Sequence, residues 1–477
     1  MRYINSTGVL LALLVSACGG DAGTLDLGDA TGDTVTTGTQ TTSTGTQVVD
    51  GAVSEVSASL HPEFGSMIYV DWTQAVAGET WVEYSFDEGE WHESPRRTLD
   101  VGASQQLLVG IPYELDVTYR VVVDTAAGQA ASADALITTG TLPGIPRPTI
   151  LAFEPDQWEP SGQYMMASIN AQNGGWTGGQ YWKFIVDRQG RVVWASETLG
   201  GRWTIYMHVS YDGKSILWDD STYWSDWDGG AASKVHRMTL DGTILETFDT
   251  PGEHHVFTEL ADGSIVWGAA EGDSEALYKR TPDGEVEKIW DCDDFHDDVG
   301  VRDDCQSNTL YWHEETDTFL YSFYTTSTAV EIDHATGETL RQWGQMRRSW
   351  DFDPPDSVFQ WQHGLTYTDA GTLLLSTEVP LGGWESETAA REYIVDDDTE
   401  TLVEVWNYGL GRGVHGETAG EAHRLANGNT LHNYGSDGSV REVTDAGEIV
   451  WGLEWSGDKL MGRSVFLDDL YVLLPQD

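Results

Sequence analysis

The stretch Thr281-Pro-Asp-Gly-Glu-Val-Glu-Lys-Ile-Trp290 contains the pattern that decides the fold. A turn with Asp and Gly joins two short segments, and the second segment ends in an aromatic residue. Further copies of this pattern end at Trp194, Phe248, Trp343, Trp406 and Trp451. The intervals between these aromatic residues are 54, 42, 53, 63 and 45 residues, which is the size of a propeller blade.

A second hairpin lies between successive copies of this outer hairpin. Its turns fall at Gly213, Gly263, Thr316, Gly371 and Gly428, with a first copy near Gly162. Two hairpins per repeat make a four-stranded blade, and a closed ring of blades leaves few sheet edges free. The sequence therefore predicts a six-bladed β-propeller over residues 149–477.

The segment ahead of this repeat has a different pattern. Residues 51–141 contain about seven short alternating strands and predict a fibronectin-III-like β-sandwich, with Trp72 and Tyr119 as its central aromatic residues. Residues 142–148 are rich in proline and predict a stiff linker. The predicted fold class is therefore all-β, a sandwich followed by a propeller.

The first residues predict export. A short apolar run ends in Val15-Ser-Ala-Cys18, which resembles a bacterial lipobox, so residues 1–18 are predicted to be a lipoprotein signal peptide and Cys18 the lipidated residue. The alternative is an ordinary signal peptide with an incidental cysteine. Residues 19–50 hold almost no large apolar side chain and predict a disordered tether. We expect an outer-membrane lipoprotein that faces the periplasm or the cell surface.

The charge of the chain limits its partners. Lys and Arg number 25 against 78 Asp and Glu, for a formal net charge of −53. Such a surface repels nucleic acid and anionic lipid, so we expect no nucleic-acid partner and membrane contact through the lipid anchor alone. The acidic runs indicate a solvated coat; calcium binding is the alternative, and no run has EF-hand spacing.

Two cysteines remain besides Cys18. In an exported chain Cys292 and Cys305 are free to pair, and a disulfide is the preferred prediction. A metal site formed by these cysteines with His296 is the alternative. Further thiols are lacking and the surroundings are rich in aspartate, which favours the disulfide.

Histidines recur where the innermost strands of a propeller line its axis. His255 and His363 each lie eight residues before a turn glycine, whereas His208 and His423 each lie five before theirs. An even and an odd offset place side chains on opposite faces of a strand, so the two pairs need not face the same way. The matched offset of His255 and His363 predicts a shared pocket.

Several of these segments together resemble the bacterial arylsulfotransferase family, whose members transfer sulfate between phenols. The resemblance covers about two thirds of the chain. The segments that carry it are His254-His255 before Leu260-Ala-Asp-Gly263, Asn308 before Leu320-Tyr-Ser322, Trp361-Gln-His363, Leu425-Ala-Asn-Gly-Asn-Thr-Leu431 and the closing run from Gly462 to Tyr471.

The resemblance implies roles for individual residues. His363 is the expected nucleophile that carries the sulfate, and His255 or its neighbour His254 is expected to bind the sulfate or assist the phenol. Candidate substrate-binding residues are Gln306, Asn308, Tyr324 and His423. The reaction needs no metal, no nucleotide sulfate donor and no cofactor, and its substrates are small phenols and aryl sulfates.

Two positions depart from the family pattern. Gln306 stands where the family has a third histidine, and the run Phe323-Tyr324 stands where it has an arginine. Arg347-Arg348 could replace the missing cation, although a surface position is preferred for that pair. The competing hypothesis is therefore a non-catalytic propeller that binds an aromatic or sulfated ligand or a protein. A metal-dependent hydrolase is less favoured, because carboxylates do not recur at the histidine positions.

Overall fold

The computed structural model of the chain describes residues 51–87, 89–172, 179–225, 228–272, 274–299, 305–382, 385–457 and 459–475. Cys18, the signal segment and the tether lie outside these ranges. The regular secondary structure of the described residues is nearly all strand, apart from the helix α1 (Cys292–Val299) and short 3-10 turns. None of the described helices is long and apolar enough for a membrane span.

The N-terminal strands form two antiparallel sheets. The described strands are β1 (Val53–Leu60), β2 (Ile68–Gln74), β3 (Gly78–Ser85), β4 (His92–Glu93), β5 (Arg97–Leu99), β6 (Gly102–Leu108), β7 (Asp116–Thr125), β8 (Gly128–Ala131) and β9 (Ala135–Thr138). One sheet has the order β1-β2-β6, and the other is built around β3 and β7. Alternate side chains of both sheets, including Trp72 and Tyr119, share one apolar core.

The remaining strands build six sheets of four or five strands. They are β10 (Thr149–Phe153), β11 (Tyr164–Asn170), β12 (Tyr181–Asp187), β13 (Val192–Thr198), β14 (Met207–Val209), β15 (Ile216–Asp220), β16 (Lys234–Met238), β17 (Ile244–Asp249), β18 (Glu253–Glu259), β19 (Ile265–Glu271), β20 (Ser274–Arg280), β21 (Val286–Asp291), β22 (Ser307–His313), β23 (Thr318–Phe323), β24 (Thr328–Asp333), β25 (Thr339–Gly344), β26 (Asp351–Asp353), β27 (His363–Tyr367), β28 (Leu373–Gly382), β29 (Glu385–Asp396), β30 (Thr401–Tyr408), β31 (Glu421–Arg424), β32 (Thr430–Asn433), β33 (Ser439–Val443), β34 (Ile449–Glu454) and β35 (Leu460–Leu467).

These sheets make a β-propeller-like fold, and we number them in chain order. Sheet 1 is β35-β11-β12-β13, and sheets 2, 3 and 4 are β14 to β17, β18 to β21 and β22 to β25. Sheet 5 is β27 to β30 with β26, and sheet 6 is β31 to β34 with β10. The six aromatic residues that end the sequence repeat all lie on β13, β17, β21, β25, β30 and β34, the fourth strands of their sheets. The large rings on these strands pack in the apolar layers, as Trp343 and Trp451 show by their complete burial.

The first and the last strand of the repeat region both pair with strands that are distant in sequence. The C-terminal strand β35 pairs with β11 and provides the first strand of sheet 1, whereas β10 pairs with β34 at the outer side of sheet 6. The predicted inner hairpin turning near Gly162 is therefore absent from the described structure. The strands before and after that turn pair with different sheets, because β35 takes the inner position next to β11.

The innermost strands differ in regularity. Register shifts interrupt β18 between Glu253 and Phe257, β22 between Ser307 and Thr309, and β27 between His363 and Thr366. In sheet 1 Met461 of β35 pairs with Ile169 of β11, but Ser464, three residues later, pairs with Ala167, only two residues away, so β35 contains one extra residue. These are β-bulges, which bend a strand and re-aim its side chains. The innermost strands β14 and β31 pair without a shift.

A disulfide joins the helix to the start of sheet 4. The Cys292 and Cys305 sulfur atoms are bonded, across a sequence separation of 13 residues. Both cysteines are buried in the apolar core that includes Trp290 and Phe323. Gln306 follows Cys305 directly, so this link ties down the chain immediately before the bulge in β22.

Candidate functional site

A cavity of about 350 Å³ lies where β18, β22 and β27 begin. Its described lining residues are Trp224, His255, Gln306, Ser307, Asn308, Tyr324, His363, Glu417 and Thr418. A chamber of about 30 Å³ adjoins it, and His255, Asn308 and His363 line both spaces. The structure thus brings together five of the residues that the sequence singled out: His255, Gln306, Asn308, Tyr324 and His363.

His363 presents one ring nitrogen that can act as a nucleophile. Its Nδ1 lies 3.1 Å from the Trp361 carbonyl oxygen, and a carbonyl can only accept, so Nδ1 carries the hydrogen. The lone pair is then on Nε2. Burial lowers the pKa of His363 to about 4, which keeps the imidazole neutral at pH 7.

The residues on either side hold His363 in place. The buried Gln362 amide nitrogen donates to Ser322 Oγ at 2.9 Å and to the Thr328 carbonyl at 3.0 Å. Gly364 follows with a φ of +63°, and a Cβ at this position would lie 2.4 Å from Glu421 Cβ. Only glycine fits here without strain, because the backbone is left-handed and the neighbouring strand is too close.

His255 belongs to a chain of buried hydrogen bonds. His254 Nε2 lies 2.8 Å from Glu275 Oε1, and His254 Nδ1 lies 2.9 Å from His255 Nδ1. The carboxylate accepts, so His254 donates through Nε2 and receives the His255 Nδ1 hydrogen, which leaves the His255 Nε2 lone pair available. Burial, together with the neighbouring His254 and His363, holds the pKa of His255 well below its usual range. Its φ of 140° marks local strain at the bulge.

His254 itself lies behind the cavity wall. It is buried between Glu275 and His255, and the ring of Tyr223 packs against it at 5.0 Å. Glu275 also accepts hydrogen bonds from the Ser307 amide at 3.0 Å and the Tyr321 hydroxyl at 2.9 Å. The geometry therefore gives His255 the contact with the cavity and His254 a supporting position.

Residues of sheet 4 and of the turn that follows β23 form another part of the cavity lining. The Asn308 side chain donates through Nδ2 to the Gln362 carbonyl at 2.6 Å, which links the bulges of β22 and β27. The Tyr324 amide donates to the Gln306 carbonyl at 2.9 Å, and the Tyr324 ring lies 5.6 Å from the His363 ring. Burial, with the charges of Glu378 and Glu417, raises the pKa of Tyr324 to about 12, so its hydroxyl keeps its proton.

The other candidate residues lie away from the cavity. His423 Nε2 is 3.0 Å from Glu421 Oε2, and His423 is absent from the described lining of both spaces. His208 lines a cavity of about 290 Å³ formed by residues toward the far ends of the same inner strands, and Arg463 lines both this cavity and the small chamber. Arg348 lines an outer cavity with Trp350 and Glu400, so it supplies no cation to the histidines.

Arg463 is the residue that sequence reasoning missed. It lies in the bulge of β35 and lines the small chamber next to His255, Asn308 and His363. Its guanidinium carbon is 4.6 Å from the centre of the Tyr206 ring, and its Nε is 3.5 Å from Glu421 Oε2. The signal in the sequence was the arginine after Gly462, within the closing segment that resembles the arylsulfotransferases.

The described residues contain one cluster of three potential metal ligands. It consists of Cys292, His296 and Cys305, whose ligand atoms lie within 4.8 Å of one another. The two sulfur atoms are bonded to each other, so they are not thiolates that could bind a metal in this state. Carboxylates and histidines of the central cavity form no such cluster among the described residues.

No protein-family model and no curated protein matches the chain. Several solved structures are similar to it. A protein of unknown function from Bacteroides caccae has 15% identity and a TM-score of 0.42, over 61% of this chain and 93% of the other. Virginiamycin B lyase from Staphylococcus aureus has 10% identity and a TM-score of 0.37, over 67% of this chain and 100% of the other.

A putative 6-phosphogluconolactonase from Bacteroides fragilis has 11% identity and a TM-score of 0.39, over 81% of this chain and 98% of the other. Similarities of this size do not indicate shared chemistry.

Proposed function

We propose that the chain is a sulfotransferase that moves sulfate from an aryl sulfate to a phenol through a sulfohistidine at His363. The observation that carries this proposal is the pair of neutral histidines, His255 and His363, on one cavity with Asn308 between them. Ionised groups are absent from their immediate hydrogen bonds in the described structure, and each has a ring nitrogen left for chemistry.

In the first half-reaction the His363 Nε2 lone pair attacks sulfur. The N–S bond forms, the bond between sulfur and the aryl oxygen breaks, and the donor leaves as a phenolate. The low pKa of His363 supports this step, because a protonated imidazole has no lone pair to offer. The protonated hydroxyl of Tyr324 can donate a hydrogen bond to an oxygen in the cavity.

In the second half-reaction the acceptor phenol attacks the same sulfur. Its proton passes to His255 Nε2 while its oxygen bonds to sulfur, and the N–S bond breaks to regenerate His363. The proton on His255 then neutralises the phenolate released earlier, so atoms and charges balance over the cycle. Glu275 and His254 orient His255 for this transfer through their hydrogen bonds.

Gln306 and Tyr324 stand where the arylsulfotransferase pattern has a histidine and an arginine, and Arg463 replaces the positive charge of that arginine. It lies in the chamber beside both histidines, where a guanidinium stabilises the negative charge on the transferring group. Glu421 offsets part of this charge, at 3.5 Å from Arg463 Nε. The buried position strengthens the electrostatic effect of Arg463 on the cavity compared with an exposed arginine.

The segments ahead of the propeller fit an enzyme that is attached to the cell envelope. We propose that Cys18 carries a lipid that attaches the protein to the outer membrane, with residues 19–50 as the tether. The pair of N-terminal sheets then acts as a fibronectin-III-like spacer that packs on the propeller: Phe64 lies 5.3 Å from Trp194, and Ser66 Oγ donates to the Val193 carbonyl at 2.7 Å.

The test is turnover of a chromogenic aryl sulfate with a phenol acceptor by the protein from residue 51 onward. We expect phenol-dependent release of the chromophore, and His363→Asn should lower the rate at least ~10³-fold. Acid quenching should trap sulfate on His363 of the wild type and not on the variant. Turnover that persists in His363→Asn would contradict the assignment of the nucleophile.

The competing function is a binding module for an aromatic or sulfated ligand. The described lining of the larger cavity contains no lysine or arginine, which favours an aromatic ligand over a sulfated one there. Absence of turnover with every donor, together with calorimetric binding of the aryl sulfate to the wild type, would support the binding module and reject the enzyme.

A further inference from the structure

Charged residues lie at both ends of the central site. Arg463 lies in the small chamber beneath the histidines, whereas Glu417 lies on the exposed rim of the larger cavity. The histidines between them are neutral. In the chamber Glu421 offsets the charge of Arg463, so a molecule that enters from the rim meets uncompensated negative charge at the rim alone, and this favours a cationic group there.

A second carboxylate, Glu378, lies near Tyr324 but outside the described lining of the cavity. Glu378 is only 4% exposed; its Oε2 accepts from Ser386 Oγ at 2.8 Å, and its Oε1 is buried with no hydrogen-bond donor in the described structure. Burial and the charges of Glu378 and Glu417 raise the pKa of Tyr324, so both carboxylates lie within electrostatic range of this cavity residue. An unpaired buried carboxylate oxygen is costly unless a donor or a cation comes to it.

Aromatic faces stand beside these carboxylates. Trp224 and Tyr324 line the cavity, and Trp361 stacks on Tyr324 with ring centres 6.4 Å apart and an angle of 28° between planes. The faces of Trp and Tyr attract cations, and the attraction grows when the cation is partly removed from water. His415, whose Nδ1 lies 3.0 Å from Ser386 Oγ, is a basic group within electrostatic range of Glu378.

We propose that the substrate is an aryl compound with a protonated amine, whose ammonium group lies at the rim formed by Glu417, Trp224 and Tyr324, near the buried carboxylate of Glu378. Its phenolic or sulfated oxygen then points toward His255 and His363. This inference rests on the proposed function for the identity of the reacting oxygen. The charge preference itself depends only on the cavity, and binding measures it without turnover.

The experiment is calorimetric titration with three phenols of similar shape that differ in charge: tyramine, para-ethylphenol and para-hydroxyphenylpropionate. We expect tyramine to bind about tenfold more tightly than the neutral phenol, and the anion to bind most weakly. About 0.3 M salt in the buffer screens the long-range field of the acidic surface, so that the remaining preference reports the rim.

Glu417→Gln and Glu378→Gln should each reduce the preference for tyramine over para-ethylphenol at least about threefold. Glu314→Gln is the matched control, because Glu314 lines the cavity at the opposite end of the inner strands and should leave the preference unchanged. Equal affinity for the three phenols, or an equal loss in the Glu314 variant, would overturn the proposal.

The two proposals fail in different ways. If tyramine binds preferentially and no sulfate is transferred, the sulfotransferase is rejected and the cation-selective cavity stands. If sulfate is transferred to all three phenols at equal kcat/KM and they bind equally, the sulfotransferase stands and the rim has no role in selecting the substrate.

Discussion

The innermost strands of the six sheets are of two kinds. Those of sheets 1, 3, 4 and 5 are bulged, and each bulge contains or adjoins a residue of the central site: Arg463, His255, Asn308 and His363. Those of sheets 2 and 6 are regular, and their histidines, His208 and His423, lie outside the central cavity and its chamber. The histidines of the bulged strands thus line the site and those of the regular strands do not, although the regular strand β31 contributes Glu421 to the small chamber.

After the nucleophile His363, the largest effect among bulge residues is expected for Arg463. Arg463→Gln removes the cation beside the histidines, and kcat/KM for sulfate transfer should fall ~10²–10³-fold. Arg237→Gln is the matched control, because Arg237 lies on β16 between Glu246 and Glu259 and away from the central cavity. Steady-state kinetics of both variants checks this. Equal losses in the two variants would show that Arg463 acts on the fold and not on the transferring group.

The next effect concerns Gly364. In Gly364→Ala the new Cβ meets Glu421 at 2.4 Å with φ at +63°, so we expect the free energy of unfolding to fall by ~3 kcal/mol and transfer to slow by ~10². Gly428→Ala places a methyl in open space at φ +90° and should cost ~1 kcal/mol without loss of rate. Denaturant titrations compare the two variants, and similar losses of stability would contradict the special role of the bulge.

A smaller and graded effect is expected from pH. The pKa of His363 is lowered from 6.5 to about 4, so the nucleophile stays neutral until the pH approaches 4. The rate should stay flat from pH 7 to about 5 and then fall about tenfold per unit. An inflection near 6.5 would mean that His363 is solvated.

The lowered pKa of His363 also makes the stability of the fold depend on pH. Between the two pKa values the unfolded chain binds a proton on this histidine that the folded chain does not. Stability therefore decreases as the pH falls from about 6.5 to about 4. Circular dichroism at each pH separates loss of the nucleophile from loss of the fold.

The smallest effect is expected on the regular strand β31. His423→Asn should change kcat/KM less than about threefold, because His423 contacts Glu421 and does not reach the cavity. A loss comparable with that of His363→Asn would remove the distinction between bulged and regular strands. The His363 and His423 variants are assayed side by side with the same donor and acceptor.

Much of the fold could be predicted because the repeat is local. The six aromatic residues from Trp194 to Trp451 each mark a fourth strand, since a hairpin and its turn are encoded within a few neighbouring residues. The pairing of β35 with β11 was not predictable in the same way, because the two strands are distant in sequence and nothing local selects the partner.

The site was predictable in part for a related reason. His255 and His363 have the same offset from their turns, and the structure places both on the cavity. Arg463 has no such repeat, and its position depends on a bulge, which arises from a mismatch between two strands and is invisible in either one alone. His255 lines the cavity and His254 does not, and this difference likewise depends on the backbone of the bulge in β18.

The pairing of β35 has a consequence for the making of the protein. A ribosome or a translocation channel releases Leu460–Leu467 after every other strand of the six sheets, and that strand brings Arg463 with it. A partly emerged chain therefore has His255 and His363 but lacks their cation. If the chain transfers sulfate as proposed, a chain that ends before Leu460 is expected to be inactive, because it lacks Arg463.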